Sequence, residues 1–169
     1  MDTILDPVTF EFDKDVPMQA RDIAVSVPTI TLQDTVAKAV QVMALGRLPG
    51  LIVVDAKGKP VMVLPGSQVL RLVVPATYQS EPALAHTIDE EEADRFWLEP
   101  SARTVGQCLP DKIGKVVTVS PEANLLEIAA AMALARSPLV AVAEKDGELV
   151  GAITIEALAT SLAIAGLGT

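Results

Sequence analysis

The chain is poor in the residues that most often carry metal and redox chemistry. Its 169 residues include one cysteine, Cys108, and one histidine, His86. That pair cannot build a Cys/His zinc cage or a disulfide framework, so no metal site is expected. Ser-His-Asp catalysis would have to run through His86. It sits in Ala83-Leu84-Ala85-His86-Thr87-Ile88 beside an acidic run and reads as a surface or half-buried residue rather than a base. Cations are scarce as well: 13 Lys and Arg stand against 22 Asp and Glu, a net charge of -9. This is the wrong sign for tracking a phosphate backbone, and the cations form no cluster, so nucleic acid is not an expected partner. Long apolar runs are also missing. The richest stretch, Leu125 to Ala143, is broken by Glu127, Arg136 and Pro138, whereas a membrane span needs about 18 apolar residues in a row. The start, Met1-Asp2-Thr3-Ile4-Leu5-Asp6, lacks the basic region of a secretory signal, so a soluble, cytoplasmic protein with no direct membrane insertion is expected. No glycine-rich phosphate loop ending in Gly-Lys-Ser/Thr is present, and Ser67 is not a nucleophile elbow, because Val69 stands where glycine would be needed. No pair of carboxylates is singled out either, which makes an enzyme the least supported class.

What the chain does have is apolar side chain and repetition. Half its residues are hydrophobic and its mean hydropathy is +0.42, which excludes intrinsic disorder. Such a chain can bury a sizeable core and still offer apolar surface to a partner. A shift of 89 positions lays residues 27–70 over 116–159 without a gap. Val27, Thr29, Met43, Ala44, Leu45, Arg47, Pro49, Val53, Gly58 and Val61 fall on Val116, Thr118, Met132, Ala133, Leu134, Arg136, Pro138, Val142, Gly147 and Val150. The two halves therefore share one fold.

Each half reads as strand, helix, strand, strand, helix. Val36, Val40 and Met43, with Ala39 beside them, form one stripe of an amphipathic helix, and Leu125, Ala129 and Met132 repeat it. Asn124 followed by Glu127 has capping-box spacing. Pro49 and Pro138 are expected to close the helices. The runs Leu51-Ile52-Val53-Val54 and Leu139-Val140-Ala141-Val142-Ala143 are dense enough for strands buried on both faces. Gly58 and Gly147 mark short hairpins, and further helices are expected from about Ser67 and Glu156. Equivalent arginines, Arg47 and Arg136, stand at the helix ends, where a cation suits the helix dipole. Pro65-Gly66 would leave backbone groups free at a helix start, a modest anion site.

The expected organisation is an N-terminal arm (1–17), a first repeat (18–74), an inter-repeat insert (75–103) and a second repeat (104–169). A helix from Glu81 to Trp97 would carry the acidic run Asp89-Glu90-Glu91-Glu92. All five aromatics (Phe10, Phe12, Tyr78, Phe96 and Trp97) lie in the arm or the insert. They serve either as staples over the repeat core or as a contact surface.

The duplicated series, with its best stretches Val116–Leu125 and Gly147–Thr154, resembles the CBS-domain pair, or Bateman module, named after cystathionine β-synthase. The resemblance covers both repeats and their leads, Gln19–Ile23 and Thr104–Leu109. It implies an α+β fold of two βαββα repeats packed about a pseudo-twofold axis, with clefts between them and two chains commonly paired. In that family the clefts often hold AMP, ATP or another adenosyl ligand. A hydroxyl and a ribose-binding carboxylate follow the third strand there as Ser/Thr-x-x-Asp. Here the second repeat reads Thr154-Ile155-Glu156-Ala157, which keeps the hydroxyl and loses the carboxylate, with Glu156 in reach only if the register slips by one. The first repeat reads Pro65-Gly66-Ser67-Gln68. Carried over position by position, the ligand-binding residues are Val117, Thr118, Arg136, Pro138, Val140, Thr154 and Ala157, with Gln68 from the first repeat.

The function expected from this is a non-catalytic regulatory protein. It would sense an adenosyl or other small ligand in the inter-repeat cleft and act through a protein partner such as a transporter or metabolic enzyme. The alternative is a ligand-free dimerisation or scaffold module, and a third reading is an enzyme using carboxylates in the cleft. A homodimer is expected through the helices Val36–Leu45, Val69–Val74, Leu125–Leu134 and Leu158–Ala165.

Overall fold

The computed structural model describes residues 18–111 and 116–167, so the N-terminal arm with Phe10 and Phe12 lies outside the described residues. The chain runs through α1 (Ala20–Ile23), α2 (Val36–Leu45), β1 (Gly50–Val54), β2 (Pro60–Pro65) and α3 (Gly66–Val73). The insert follows, with α4 (Ala76–Ser80), a 3-10 turn (Pro82–Thr87), α5 (Glu90–Arg95) and α6 (Leu98–Ala102). The second half comprises α7 (Val105–Cys108), β3 (Thr118–Val119), α8 (Leu125–Ala135), β4 (Leu139–Ala143), β5 (Leu149–Thr154) and α9 (Ile155–Leu167).

Strand periodicity decides the layers. In β1 and β2, Leu51, Val53, Met62 and Leu64 pack under α2 and α3, while Ile52 and Val54 turn the other way. In β4 and β5, Val140, Val142 and Ile153 pack under α8, and Leu139, Ala141 and Ala152 turn toward the first repeat. Ile52, Val54, Leu139, Ala141 and Ala152 therefore form a buried seam between the sheets. Two βαββα units meet through their sheets about a pseudo-twofold axis, with helices on both outer faces. In the first, the leading strand is reduced to one parallel bridge between Ile30 and Val53, where the second has β3. Strands covered on both sides must be apolar throughout, which accounts for the two dense runs.

Local chemistry repeats at the same offset. Asn124 Oδ1 accepts from Glu127 N–H at 2.9 Å and Asn124 N–H donates to Glu127 Oε2 at 2.7 Å, a full capping box. Thr35 caps α2 at the equivalent place. Gly58 and Gly147 take φ of 78° and 90°, the left-handed conformation that glycine adopts without a Cβ clash. The helices end earlier than the prolines suggest. Their last residues are Leu45 and Ala135, and Arg47 and Arg136, at φ 49° and 51°, turn the chain before Pro49 and Pro138 are reached. A left-handed residue stops the helical ladder by itself, and the prolines only start the strand approach.

The leads cross over. Ala20 N–H donates to Ala123 O and Arg21 N–H to Pro121 O, so α1 docks on the second unit. Val105 N–H donates to Asp34 O and Gly106 N–H to Leu32 O, so α7 docks on the first. The acceptors differ by the repeat offset of 89, and the exchange is symmetric. On one side it extends further, where Val25 pairs with Ala152 beside β5. A Cβ on Gly151 would lie 2.7 Å from Val25 O, so glycine is what lets that backbone approach.

The insert does not form one helix over Glu81–Trp97. Pro82 opens a 3-10 turn, Ile88 and Asp89 are extended, and Asp89 caps a fresh helix by accepting from Glu92 N–H at 2.8 Å. Three glutamates then fill the first turn of α5, where negative charge suits the helix dipole. His86 is exposed in the 3-10 turn. Trp97 packs on the first-repeat core, and α6 lies against α2 and α3. No helix among the described residues is long and apolar enough to cross a membrane.

Candidate functional site

Directly paired residues of a sheet share a face, and that rule sorts the expected site residues. Thr118 pairs with Ala141, and Thr154 with Leu139. Both threonines therefore belong to the face that meets the first repeat, one on the edge strand and one at the end of β5. Leu139, Ala141 and Ala152 lie between them, fully buried in the seam against Ile52 and Val54. Val117 and Val140 belong to the opposite face: Val140 is completely buried with Ile128 and Met132, and Val117 packs against the same cluster. Their side chains serve the helix-side core. The signal for this lay in the alternation Leu139-Val140-Ala141, which turns Val140 to the helices and Leu139 and Ala141 to the seam.

Two turns flank the threonine face. Ile155 N–H donates to Pro138 O at 2.9 Å, and this bond holds the α8–β4 turn beside the start of α9. Arg136 lies in that turn, exposed and left-handed, and its guanidinium has no ion-pair partner among the described residues. A non-glycine residue in this conformation is strained, and the same residue type bears the same strain at Arg47 in the first repeat.

The hydroxyl of Thr154 already has a task, because Oγ1 accepts from Ala157 N–H at 3.1 Å and caps α9. This bond fixes the register: Ala157 stands in the first turn, half-buried against the second-repeat core, and Glu156 is exposed beside it. No one-residue slip brings Glu156 to the position of Ala157. In the first repeat, Gly66 N–H donates to Pro49 O at 2.8 Å, the equivalent of the Ile155 bond. That donor is therefore occupied, which removes the leading backbone group from the anion site expected at Pro65-Gly66. Gln68 is half-buried on α3, in the other repeat from the rest of the set.

Shifted carboxyl groups lie elsewhere. A hydrogen bond from the Lys38 ammonium, at 2.8 Å, together with the Thr31 backbone N–H, holds the Asp34 carboxyl below its usual range. The Lys59 backbone N–H does the same for Asp55 in the hairpin turn. Both serve local turns. Among the described residues no three of His, Cys, Asp and Glu gather where they could hold a metal ion.

The family described as the CBS domain matches residues 109–164. A solved CBS domain-containing protein of unknown function from Kribbella flavida is 41% identical, with a TM-score of 0.72, covering 86% of this chain and 99% of its own. The CBS domain of a CBS domain-containing membrane protein from Sphaerobacter thermophilus is 25% identical at a TM-score of 0.62, covering 85% and 87% of the two chains. CBSX2, solved in complex with AMP, is 17% identical at a TM-score of 0.59, covering 85% and 95%. No curated protein matches this chain.

Proposed function

The chain belongs to the CBS-domain family, and we propose that it is a non-catalytic, cytoplasmic regulatory CBS pair that binds an adenosyl ligand, AMP or ATP, at the second inter-repeat cleft. It then passes that signal to a protein partner such as a transporter or metabolic enzyme. The observation that carries this reading is Arg136. It is an exposed cation with no ion-pair partner among the described residues, held in a strained left-handed conformation in the turn that the Ile155–Pro138 bond ties to the start of α9. Glycine would satisfy the turn at lower cost, so the guanidinium is the reason for arginine there, and a phosphate is the ligand group it pairs with best. The AMP-bound CBSX2 supports that ligand class.

A thermal-shift assay tests the reading, because a ligand that binds only the folded state raises the melting temperature. Millimolar AMP or ATP is expected to raise it for the parent chain. Arg136→Gly is expected to melt no lower than the parent, since glycine accepts the turn, yet to lose the nucleotide shift. Equal shifts in both proteins would remove Arg136 from the site.

The ligand-free scaffold reading is favoured by one observation, the commitment of the Thr154 hydroxyl to helix capping with no carboxylate at Ala157. Both readings include a homodimer. Leu45 and Leu134 are equivalent residues at the ends of α2 and α8, and they are 87% and 91% exposed, apolar surface that a partner copy would cover. Light scattering at micromolar concentration is expected to give twice the 17.7 kDa of one chain. The double variant Leu45→Glu/Leu134→Glu is expected to give that mass once. A parent that is monomeric would contradict the dimer.

A further inference from the structure

The outer helices of the two repeats carry opposite charge. α2 and α3 hold one cation each, Lys38 and Arg71, and no acid, whereas α8 and α9 hold one carboxylate each, Glu127 and Glu156, and no cation. The insert does not alter that balance, since α6 and the residue that ends it add one charge of each sign, Glu99 and Arg103. Lys38 is bonded to Asp34 in the turn before α2. Arg71, Glu127 and Glu156 are exposed and have no ion-pair partner among the described residues.

Side-chain size is complementary in the same sense. At the repeat offset, the exposed Gln41 and Leu70 of the first repeat stand where the second has the exposed Ala130 and Ala159. The reverse holds at the start of the helices, where Leu126, 76% exposed, stands at the place of the half-buried Ala37. A two-fold axis can join these faces in two ways. If each repeat met its own copy, Gln41 and Leu70 would meet their own kind, the alanines would face alanines, and like charges would be brought together. If each first repeat meets the second repeat of its partner, large side chains meet small ones and Arg71 faces the helices that hold Glu127 and Glu156.

We propose that two chains pair head to tail, with α2 and α3 of each copy lying on α8 and α9 of the other. The inference rests on the homodimer reading given above and supplies its orientation. Charge acts here on orientation more than on strength, because exposed ion pairs contribute little while facing like charges repel. The arrangement also sets the route of a signal. α9 begins at the Thr154 cap, beside the candidate cleft, and lies in the dimer on the partner's α2 and α3. Those are the helices on which the insert rests, so the cleft of one copy acts on the insert of the other.

Cysteine crosslinking between full-length chains tests the orientation. Gln41→Cys and Ala130→Cys, each combined with Cys108→Ser and a tag of different mass, are co-expressed, purified and mildly oxidised. A disulfide joining the two different variants is expected to form about tenfold faster than one joining two copies of either, because pairing raises the effective concentration of the facing thiol. Faster disulfides between two copies of one variant, or equal rates, would overturn the proposal. Light scattering on the same samples separates that failure from failure of the homodimer reading. Twice the 17.7 kDa of one chain with the wrong disulfides removes the orientation alone, whereas the mass of one chain removes both. A second measurement needs no cysteine. Arg71→Glu sets a further carboxylate against Glu127 and Glu156 and is expected to weaken the dimer several-fold at low salt, with a smaller effect at high salt. In a pair of like repeats the same change only exchanges Arg71 facing itself for glutamate facing itself, so an unchanged dimer would overturn the proposal.

Discussion

Met132→Ala is expected to lower the stability of the fold by about 2–5 kcal/mol, the range for emptying a fully packed methionine site. Met132 is buried in the second-repeat core with Ile128, Val140 and Ile153. The equivalent change, Met43→Ala, is expected to cost clearly less. Met43 is only half-buried, and its sulfur lies 3.6 Å from where a side chain on Gly66 would begin, at the open start of α3. Sequence equivalence alone would make the two substitutions alike. They differ in burial, since Met132 is 4% exposed while Met43 is half-buried. Urea unfolding of both variants checks this, and a Met132→Ala protein as stable as the parent would place that side chain outside the core.

Ala157→Asp is expected to tighten AMP binding roughly ten- to a hundredfold, the effect of one charge-assisted hydrogen-bond contribution of about 1.5–3 kcal/mol. The position is in the first turn of α9, one helical step from the Thr154 cap, where a carboxylate also meets the positive end of the helix. It restores the hydroxyl-x-x-carboxylate series beside the arginine turn. Ala157 is half-buried rather than enclosed, so a carboxylate there can turn toward water or a ribose. Calorimetry with melting curves on the parent and the variant separates the possible results. A less stable variant that binds no AMP would mean the carboxylate has been forced into an apolar filling, and it would favour the scaffold reading.

Much of the fold was legible because its signals are local. The Asn124–Glu127 capping box, the left-handed Gly58 and Gly147, and the two doubly buried strands each follow from residues within a few positions of one another. The repeat offset then carried each reading to the other half. The exchange of leads was not legible, because Ala20 and Ala123 are brought together by tertiary packing with no mark in either segment. The break in the insert was readable in part, since Pro82 and Asp89 are ordinary signals for a turn and a helix start, but the charge run drew the helix across them. In α8 the stripe through Leu125, Ala129 and Met132 is displaced by one position from the true centre, Ile128, which is fully buried. For the site, residue types were legible and faces were not. Thr118 and Thr154 share the face that meets the first repeat, whereas Val117 and Val140 turn to the helices, a consequence of period two that the strand pairing makes explicit.

The proposed function requires the second cleft to hold a nucleotide through Arg136 without a ribose-binding carboxylate. Titration calorimetry of the parent chain with AMP tests it most directly, run alongside Arg136→Gly. Saturable binding at one site per chain is expected in the parent and none in the variant. Absence of binding in the parent, or binding that survives Arg136→Gly unchanged, would contradict it.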